Sequence, residues 1–219
     1  MVFYNVKGMS ELTLYGYRYS IYTRVLSIVL HLKSAIYEFH DFNPFEKDIT
    51  DLHPFGKVPV LDHRKNKIFE TNAITRYLDR AISGLALPPD EPYELALQDQ
   101  TISIIDHYAY EPMVRSVFAH RVFRPFEGLR ADENIIKDGL DKSKKVLCVL
   151  EDFAGRKNIF DGQNITLADC HLLPMIDYFQ QSDEGRVLLA DFPHLSKWWS
   201  IVSGLEMATA TRPIFGITT

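Results

Sequence analysis

The chain has 219 residues, of which 46% are hydrophobic and 24% charged, with a formal net charge of −5 at pH 7. This composition is typical of globular proteins, and the length allows one large domain or two small ones that fold without disulfides or a metal. The negative charge, without a long cationic run, argues against nucleic acid as the main partner. We find no run of about 18 apolar residues and no secretory signal, so we expect a cytoplasmic protein that does not enter the membrane.

The beginning of the chain alternates strand-like and helical patterns. Residues 11–16 alternate apolar and polar side chains and end in glycine, as a short strand does. Ser20 precedes apolar residues at helical spacing, which predicts that it caps the first helix. Residues 35–42 predict a second strand. The order of strand, helix and strand predicts a right-handed parallel crossover.

The next patterns predict a hairpin. Residues 43–52 are polar and predict a loop with a short helix, and two strand-like runs then flank a polar turn at residues 63–66. Pro59 cannot donate to a ladder, so it belongs at a strand start or edge. There it leaves the backbone of Val58 free to pair with an extended peptide. A helical pattern follows at residues 72–80.

These elements predict a two-domain chain. Residues 11–82 fit a thioredoxin-like α/β domain with the order βαβ-α-ββα and a mixed sheet. Residues 83–92 hold three of the eleven prolines and predict a linker. Residues 93–219 show helical patterns throughout and predict an all-α domain. Its first long helix contains Pro112, which should kink it, and the stretch Thr166–Asp169 predicts a capping box.

Several of these stretches resemble one protein family. Gly-Lys-Val-Pro-Val-Leu at 56–61, followed after the hairpin by Glu-Thr and an Ala-Ile-x-x-Tyr-Leu helix, is similar to the glutathione-binding half of the cytosolic glutathione S-transferases. Phe-Asp-Gly-x-x-Ile-Thr-Leu-Ala-Asp at 160–169 and Phe-Pro-His-Leu-x-x-Trp at 192–198 resemble parts of the helical domain of that family. The serine-type, bacterial-like members are the nearest match in pattern.

The resemblance implies a glutathione site in the first domain. In that family the proline is cis and the valine before it pairs with the cysteinyl backbone of glutathione, which assigns these roles to Pro59 and Val58. The Glu-Ser/Thr pair of the family holds the γ-glutamyl end. Glu70 is therefore expected to receive the ligand ammonium. Thr71 lies at a helix N-terminus, which favours anions, and is expected to receive the carboxylate.

The other end of glutathione needs a cation. Glutathione has a net charge of −1, so a protein of net charge −5 does not attract it globally. Lys57 and His53 are the candidates for the glycyl carboxylate, and the family supports the lysine better. His53 stands where asparagine is common in the family and also fits a turn cap.

Transfer of glutathione needs a thiolate, and the family implies which residue supports it. In the serine-type members a hydroxyl just after the first strand, four residues before an arginine, stabilises the thiolate. Ser20 followed by Arg24 fits this spacing, and the same serine also fits an ordinary helix cap. The family often has proline beside this serine, which is missing here. Tyrosine-type members use a phenol, so Tyr17 and Tyr19 remain rivals.

The second substrate is expected to be a small apolar electrophile. Tyr108, Pro112, Arg115 and Phe118 fall near one face of the predicted long helix and are candidates to contact it, although an aromatic stripe at helical spacing more often packs in a core. The eight histidines form no ligand spacing, so no metal is expected.

Together these observations predict a cytoplasmic glutathione S-transferase, with glutathione as co-substrate and, by resemblance, a homodimeric assembly. Two alternatives stay open from the sequence. One is an isomerase or peroxidase that uses glutathione in the same site. The other is a non-catalytic interaction module on the same fold.

Overall fold

The computed structural model describes residues 11–46, 48–156 and 159–214. The chain divides into two compact units. The sheet unit runs to Leu87 and includes Glu206–Pro213, and the helical unit comprises Pro88–Leu205 with Ile214. The domain limits expected from the sequence stay predictions. None of the helices in the described ranges is both long and apolar enough to cross a membrane.

The sheet unit contains one four-stranded mixed sheet with helices. The strand order is β2-β1-β3-β4, with β1 parallel to β2 and antiparallel to β3, and β3 antiparallel to β4. This confirms the parallel pairing of the predicted crossover, the hairpin and the thioredoxin-like fold. The elements of this unit are β1 (Leu12–Gly16), α1 (Ile21–Leu32), β2 (Glu38–Asp41), β3 (Val60–His63), β4 (Asn66–Phe69), α2 (Thr71–Ala81) and α9 (Glu206–Ala210).

The core of this unit follows from the periodicity of its elements. Leu12 and Leu14 alternate with half-buried residues on β1, so that one face of the strand is apolar and buried. On α1 the stripe of Val25, Ile28 and Val29 is fully buried, as a core-facing helix requires. Burial of such side chains stabilises the fold by about 1.5–3 kcal/mol each.

The prediction of a short helix within residues 43–52 needs correction. The described residues of that stretch form turns instead of a helix. The side chain of Asn43 accepts from the backbone N–H of Phe45 at 3.1 Å, and that of Asp48 accepts from the N–H of Thr50 at 2.9 Å. Such local bonds satisfy the backbone in turn conformations and compete with helix formation.

The helical unit shows only helical elements among its described residues, which confirms the all-α expectation. The elements are α3 (Pro92–Ile104), a π-helical segment (Ile105–Phe123), α4 (Arg124–Phe126), α5 (Glu133–Arg156), α6 (Leu167–Phe179), α7 (Asp183–Ala190) and α8 (Pro193–Val202).

The long helix winds more widely after its first three turns. The π-helical segment contains Pro112, and at its end the N–H of Arg124 donates to the carbonyl of Ala119, five residues earlier. Wide turns of this kind change which residues share a face, because the 3.6-residue period no longer holds. The faces predicted for this helix from α-helical spacing therefore need revision.

Helix α6 forms the centre of the helical unit. All thirteen of its residues are buried, and the predicted capping box at its start is confirmed. One carboxylate oxygen of Asp169 accepts from the N–H and hydroxyl of Thr166 at 2.9 and 2.7 Å, and the other accepts from the indole N–H of Trp198 at 2.7 Å. Asp169 therefore joins α6 to α8. Burial raises the pKa of its carboxyl, against the effect of these hydrogen bonds.

Candidate functional site

Three chain segments meet at one end of the sheet. The strand register aligns Tyr15 of β1 with Val60 of β3, and Val60 with Phe69 of β4. Each strand leaves or enters the sheet next to this row, so the loop after β1, the Val58–Pro59 peptide and Glu70 lie at the same edge. Helices α1 and α2 also begin here. Two helix N-termini at one edge favour binding of an anionic ligand.

Ser20 lies at this edge as the N-cap of α1, which confirms its predicted capping role. Its hydroxyl oxygen accepts from the N–H of Thr23 at 3.3 Å, and its own N–H donates to the carbonyl of Tyr17 at 2.8 Å. A serine hydroxyl that accepts a hydrogen bond still has its O–H to donate. Ser20 is half-buried, so that a small ligand can approach it. The geometry allows it to donate to a ligand atom in front of α1.

The loop that carries Ser20 is held by contacts from beyond the loop. The N–H of Tyr17 donates to the hydroxyl of Thr23 at 3.2 Å. Both the N–H and the guanidinium of Arg18 bond to the carboxylate of Asp41 at the end of β2. Gly16 has no room for a side chain, because a Cβ there would lie 2.4 Å from the methyl carbon of Thr23. These contacts fix where α1 begins.

Thr23 and Asp41 were not identified from the sequence as residues that hold this loop, and only Thr23 could have been found from the sequence. Thr23 lies three residues after Ser20, which is the spacing of a side chain that supports a helix cap. Asp41 reaches Arg18 through the pairing of β1 with β2, and a single sequence does not reveal such a partner.

Tyr17 and Tyr19, the rivals of Ser20, lie beside it in the same loop. Their rings meet edge to face with centroids 5.4 Å apart, and both are half-buried. Burial raises the pKa of Tyr15, whose ring packs on the sheet near the rings of His40 and Phe42. The choice of Ser20 over Tyr17 or Tyr19 stays a prediction.

The Val58–Pro59 peptide bond is cis, as the resemblance implied. Pro59 is buried and Val58 is half-buried. The β3 ladder begins only at Val60, so the backbone of Val58 lies just outside the sheet. Lys57, one residue earlier, is exposed. The arrangement offers an extended stretch of backbone with a cation beside it.

Glu70 and Thr71 lie at the start of α2. Glu70 has φ = 70° and ψ = 113°, a region that costs a non-glycine residue about 1–3 kcal/mol and often marks a functional constraint. Its side chain is 67% exposed. Thr71, the first residue of α2, is buried, and the side chain of Glu70, the N-cap residue, makes no capping hydrogen bond. The N–H groups of this first turn, which have no partner within the helix, make a candidate anion site.

His53 lies near Glu70 and is almost fully buried, at 2% exposure. Its Nδ1 accepts a hydrogen bond from the N–H of Phe55 at 3.1 Å, which confirms that this histidine caps a turn. Its Nε2 lies 4.0 Å from the Glu70 carboxylate. Burial lowers the pKa of His53, the Glu70 carboxylate raises it and the Lys57 ammonium lowers it. Nε2 of the ring therefore faces the Glu70 carboxylate.

The four predicted second-substrate residues differ in burial, and their contact with a substrate stays a prediction. Phe118 packs on Tyr178 with ring centroids 4.4 Å apart, and Pro112 is buried against α5. Tyr108 and Arg115 are exposed. The expected face assumed 3.6 residues per turn, whereas these residues lie in the π-helical segment.

Sequence reasoning also missed Tyr110. Burial raises the pKa of its hydroxyl, and a hydrogen bond with Arg115 opposes that effect. This contact depends on the wider winding of the segment, which no periodicity in the sequence indicates. The described residues contain no group of three or more His, Cys, Asp or Glu side chains arranged to hold a metal.

The chain matches two family models, the glutathione S-transferase N-terminal domain over residues 10–80 and the C-terminal domain over residues 102–206. It is 32% identical to glutathione S-transferase F10 of Arabidopsis thaliana over 154 residues, which cover 69% of this chain and 71% of that protein. It is 31% identical to glutathione S-transferase F14 of the same plant over 154 residues, 68% of this chain and 60% of that protein. The match thus spans less than two thirds of F14.

A solved structure is similar over nearly the whole chain. Glutathione transferase F7 from Populus trichocarpa is 26% identical, with a TM-score of 0.80, and the superposition covers 91% of this chain and 97% of that one. The family models and the relatives agree with the arrangement of sheet and helices described above.

Proposed function

Because the chain belongs to the glutathione S-transferase family, we propose that it acts as a serine-type glutathione transferase. It activates glutathione as a thiolate at Ser20, and the thiolate attacks a small apolar electrophile. The observation that carries the proposal is the meeting of Ser20, the cis Val58–Pro59 peptide and the Glu70–Thr71 pair at one end of the sheet.

Glutathione would bind along this end as an extended peptide. The backbone of Val58 pairs with the cysteinyl residue of the ligand, in the manner of an added strand. The N–H groups at the start of α2, with Thr71, receive the γ-glutamyl carboxylate, and Glu70 receives the neighbouring ammonium. Lys57 is exposed beside Val58 and meets the glycyl carboxylate.

Ser20 lowers the pKa of the bound thiol by donating its O–H to the sulfur. A free cysteine thiol has a pKa near 8.5, and helix N-termini with nearby donors bring thiols to about 3.5–7.5. Each unit of lowering corresponds to about 1.4 kcal/mol of preference for the thiolate. The N-terminus of α1 adds to the effect, because its partial positive charge favours the anion.

For contact with the electrophile we propose Tyr108 and Arg115. Tyr108 is 64% exposed, and Arg115 is exposed with the Tyr110 hydroxyl as a neighbour. A phenol ring gives an apolar contact, and the guanidinium stabilises negative charge that develops on a leaving group. Phe118 and Pro112, which are buried, would shape this segment from behind.

The test is the rate of conjugation of glutathione with an activated aryl chloride, followed by release of chloride. Ser20→Ala should lower kcat by about 100-fold or more, as the loss of one donor to a developing anion does elsewhere, with little change in the KM for glutathione. Ser27→Ala is the matched control. Ser27 is a serine of the same helix whose hydroxyl bonds to the Thr23 carbonyl at 3.2 Å, and its loss should leave kcat unchanged.

Three results would contradict parts of the proposal. Equal rates for wild type and Ser20→Ala would remove Ser20 from its role and direct attention to Tyr17 and Tyr19. Consumption of glutathione as its disulfide, or its recovery unchanged beside an isomerised substrate, would replace transfer by the other chemistries. No turnover with any electrophile, together with binding of a protein partner, would favour an interaction module.

We also propose a homodimer and a cytoplasmic location, both on the strength of family membership. Sedimentation equilibrium of the full chain tests the first, with a dimer mass expected at micromolar concentration. Fractionation of the source cells tests the second. A monomer at all concentrations, or recovery with membranes, would contradict these two expectations without affecting the chemistry.

A further inference from the structure

His53 is a buried histidine next to the carboxylate that would hold the ligand ammonium. Its ring is in contact range of the Phe69 and Phe55 rings, with centroid distances of 4.8 and 5.9 Å, and only 2% of the residue is exposed. A buried imidazole whose two nitrogens face defined groups changes its surroundings when it gains a proton.

The contacts of the ring define its neutral form. The N–H of Phe55 donates to Nδ1 at 3.1 Å, so Nδ1 is the acceptor and the proton of the neutral ring lies on Nε2. Nε2 is the atom that faces Glu70, with 4.0 Å between it and the nearest carboxylate oxygen. In this form the ring presents an N–H dipole to the Glu70 carboxylate without neutralising it.

We propose that His53 is a positioning residue which makes glutathione binding depend on pH, because its protonated ring competes with the ligand ammonium for the Glu70 carboxylate. The inference rests on the proposed function of this site. It concerns the charge of His53 and not direct contact of His53 with the ligand.

Protonation of His53 would have two local consequences. The new proton on Nδ1 would point at the N–H of Phe55, so that the hydrogen bond between them is lost. The positive ring would also attract the Glu70 carboxylate, which the ligand needs for its ammonium. Both effects lower the affinity for glutathione, and by linkage the binding of the ammonium must release the proton from His53.

The charged groups around the ring set the direction of the effect. Glu70 follows β4 and favours the protonated ring, whereas Lys57, on the same loop as His53, disfavours it. The residue that β4 itself packs on the ring is Phe69, which is apolar. Burial lowers the pKa of His53 from its ordinary value of 6.5. The change in affinity should therefore occur in the acidic range below pH 6.5.

The experiment is calorimetric titration of the full-length protein with S-methylglutathione between pH 5 and 7. The methyl group removes the ionisable thiol, and the amino and carboxyl groups of the ligand keep their charges in this range. In the wild type, Kd should rise as the pH falls, by up to tenfold for each unit by which binding lowers the pKa of His53. Buffers of different ionisation enthalpy should also show proton release on binding.

Two variants separate this role from a structural one. His53→Asn keeps an oxygen that accepts from the N–H of Phe55 but does not titrate, so Kd should no longer depend on pH. His63→Asn is the matched control. His63 is another histidine of the sheet unit, with its Nδ1 2.8 Å from the hydroxyl of Tyr77, and its replacement should leave the pH dependence of Kd intact.

The outcomes distinguish this inference from the proposed function. Binding with a Kd that is flat in pH, binding without proton release, or an undiminished pH dependence in His53→Asn would each overturn the role of His53 and leave the glutathione site in place. Absence of S-methylglutathione binding at every pH would overturn the site itself, and the His53 inference with it. The proton count of the wild type decides the matter even if His53→Asn does not fold.

Discussion

Replacement of Asp169 by alanine should destabilise the helical unit strongly, because this carboxylate accepts three hydrogen bonds in the core. Two donors belong to Thr166 at the start of α6, and the third is the indole N–H of Trp198 on α8. Asp169 is fully buried and Trp198 is 1% exposed. Water cannot replace the lost acceptor without opening the contact between α6 and α8.

The magnitude follows from the three donors. The buried indole N–H would be left without a partner, which costs about 1–3 kcal/mol. Loss of the cap on α6 costs about 1 kcal/mol more, whereas the half-buried Thr166 hydroxyl can turn to water. The expected loss is therefore roughly 2–4 kcal/mol of unfolding free energy, a large share of the 5–15 kcal/mol that is typical of folded proteins.

Asp161→Ala is the matched control. Asp161 also accepts three hydrogen bonds, from the N–H of Gln163 at 2.7 Å and from the N–H and side-chain amide of Asn164, both at 2.8 Å. It is only half-buried, so water can take its place. We expect a loss of about 1 kcal/mol for this variant, as for an ordinary cap.

Urea unfolding followed by tryptophan fluorescence measures both variants. The two tryptophans of the sequence, Trp198 and Trp199, both lie in the helical unit, and circular dichroism at 222 nm provides a second signal. Equal losses for Asp169→Ala and Asp161→Ala would refute the reasoning, because the argument depends on burial and not on the number of hydrogen bonds.

Three further predictions concern stability. Lys33→Met should lower the free energy of unfolding, measured in urea, by about 3 kcal/mol. In the wild type the buried Lys33 ammonium bonds to the Asp79 carboxylate at 2.7 Å, and the variant leaves this carboxylate without its cation. A loss below about 1 kcal/mol would contradict this prediction. Gly162→Ala should lower the free energy of unfolding by at least 1–2 kcal/mol, because φ is +74° and a Cβ would lie 3.0 Å from Ile201, and an unchanged midpoint would be inconsistent with that strain. The free energy of unfolding should fall as the pH drops below 6.5, because the lowered pKa of His53 means that the unfolded chain binds the proton more readily than the folded chain. His53→Asn should reduce the slope of unfolding free energy against pH. An identical slope in wild type and variant would argue against this role of His53.

The parts of the fold that local signals encode were predictable from the sequence. The cap at Ser20, the hairpin around residues 63–66 and the capping box at Thr166 each depend on residues within a few positions of one another. Their physical cause is the satisfaction of local backbone groups, and the same signals therefore operate whatever the rest of the chain does.

Features that depend on winding or on distant partners were not predictable. The π-helical segment is not indicated by any periodicity, so the packing of Phe118 on Tyr178 could not be derived from α-helical spacing. The contact of Arg18 with Asp41 requires the register of two strands. The proximity of His53 to Glu70 brings together two residues that are distant in the sequence, which no local pattern indicates.

The candidate site falls between these two cases. The order of Val58, Pro59, Glu70 and Thr71 in the sequence is sufficient to predict a glutathione site through the family resemblance. What the sequence could not supply was the row of paired residues that brings their segments to the loop of Ser20. The identity of the activating hydroxyl stays a prediction, because Tyr17 and Tyr19 lie in the same loop.

The most direct test of the account is an ultraviolet difference titration of the purified protein with glutathione at neutral pH, which detects the absorbance of a bound thiolate. We predict a saturable thiolate signal in the wild type that is lost in Ser20→Ala and kept in Ser27→Ala. Saturable binding without a thiolate signal in the wild type, or a full signal in Ser20→Ala, would contradict the claim that Ser20 activates glutathione.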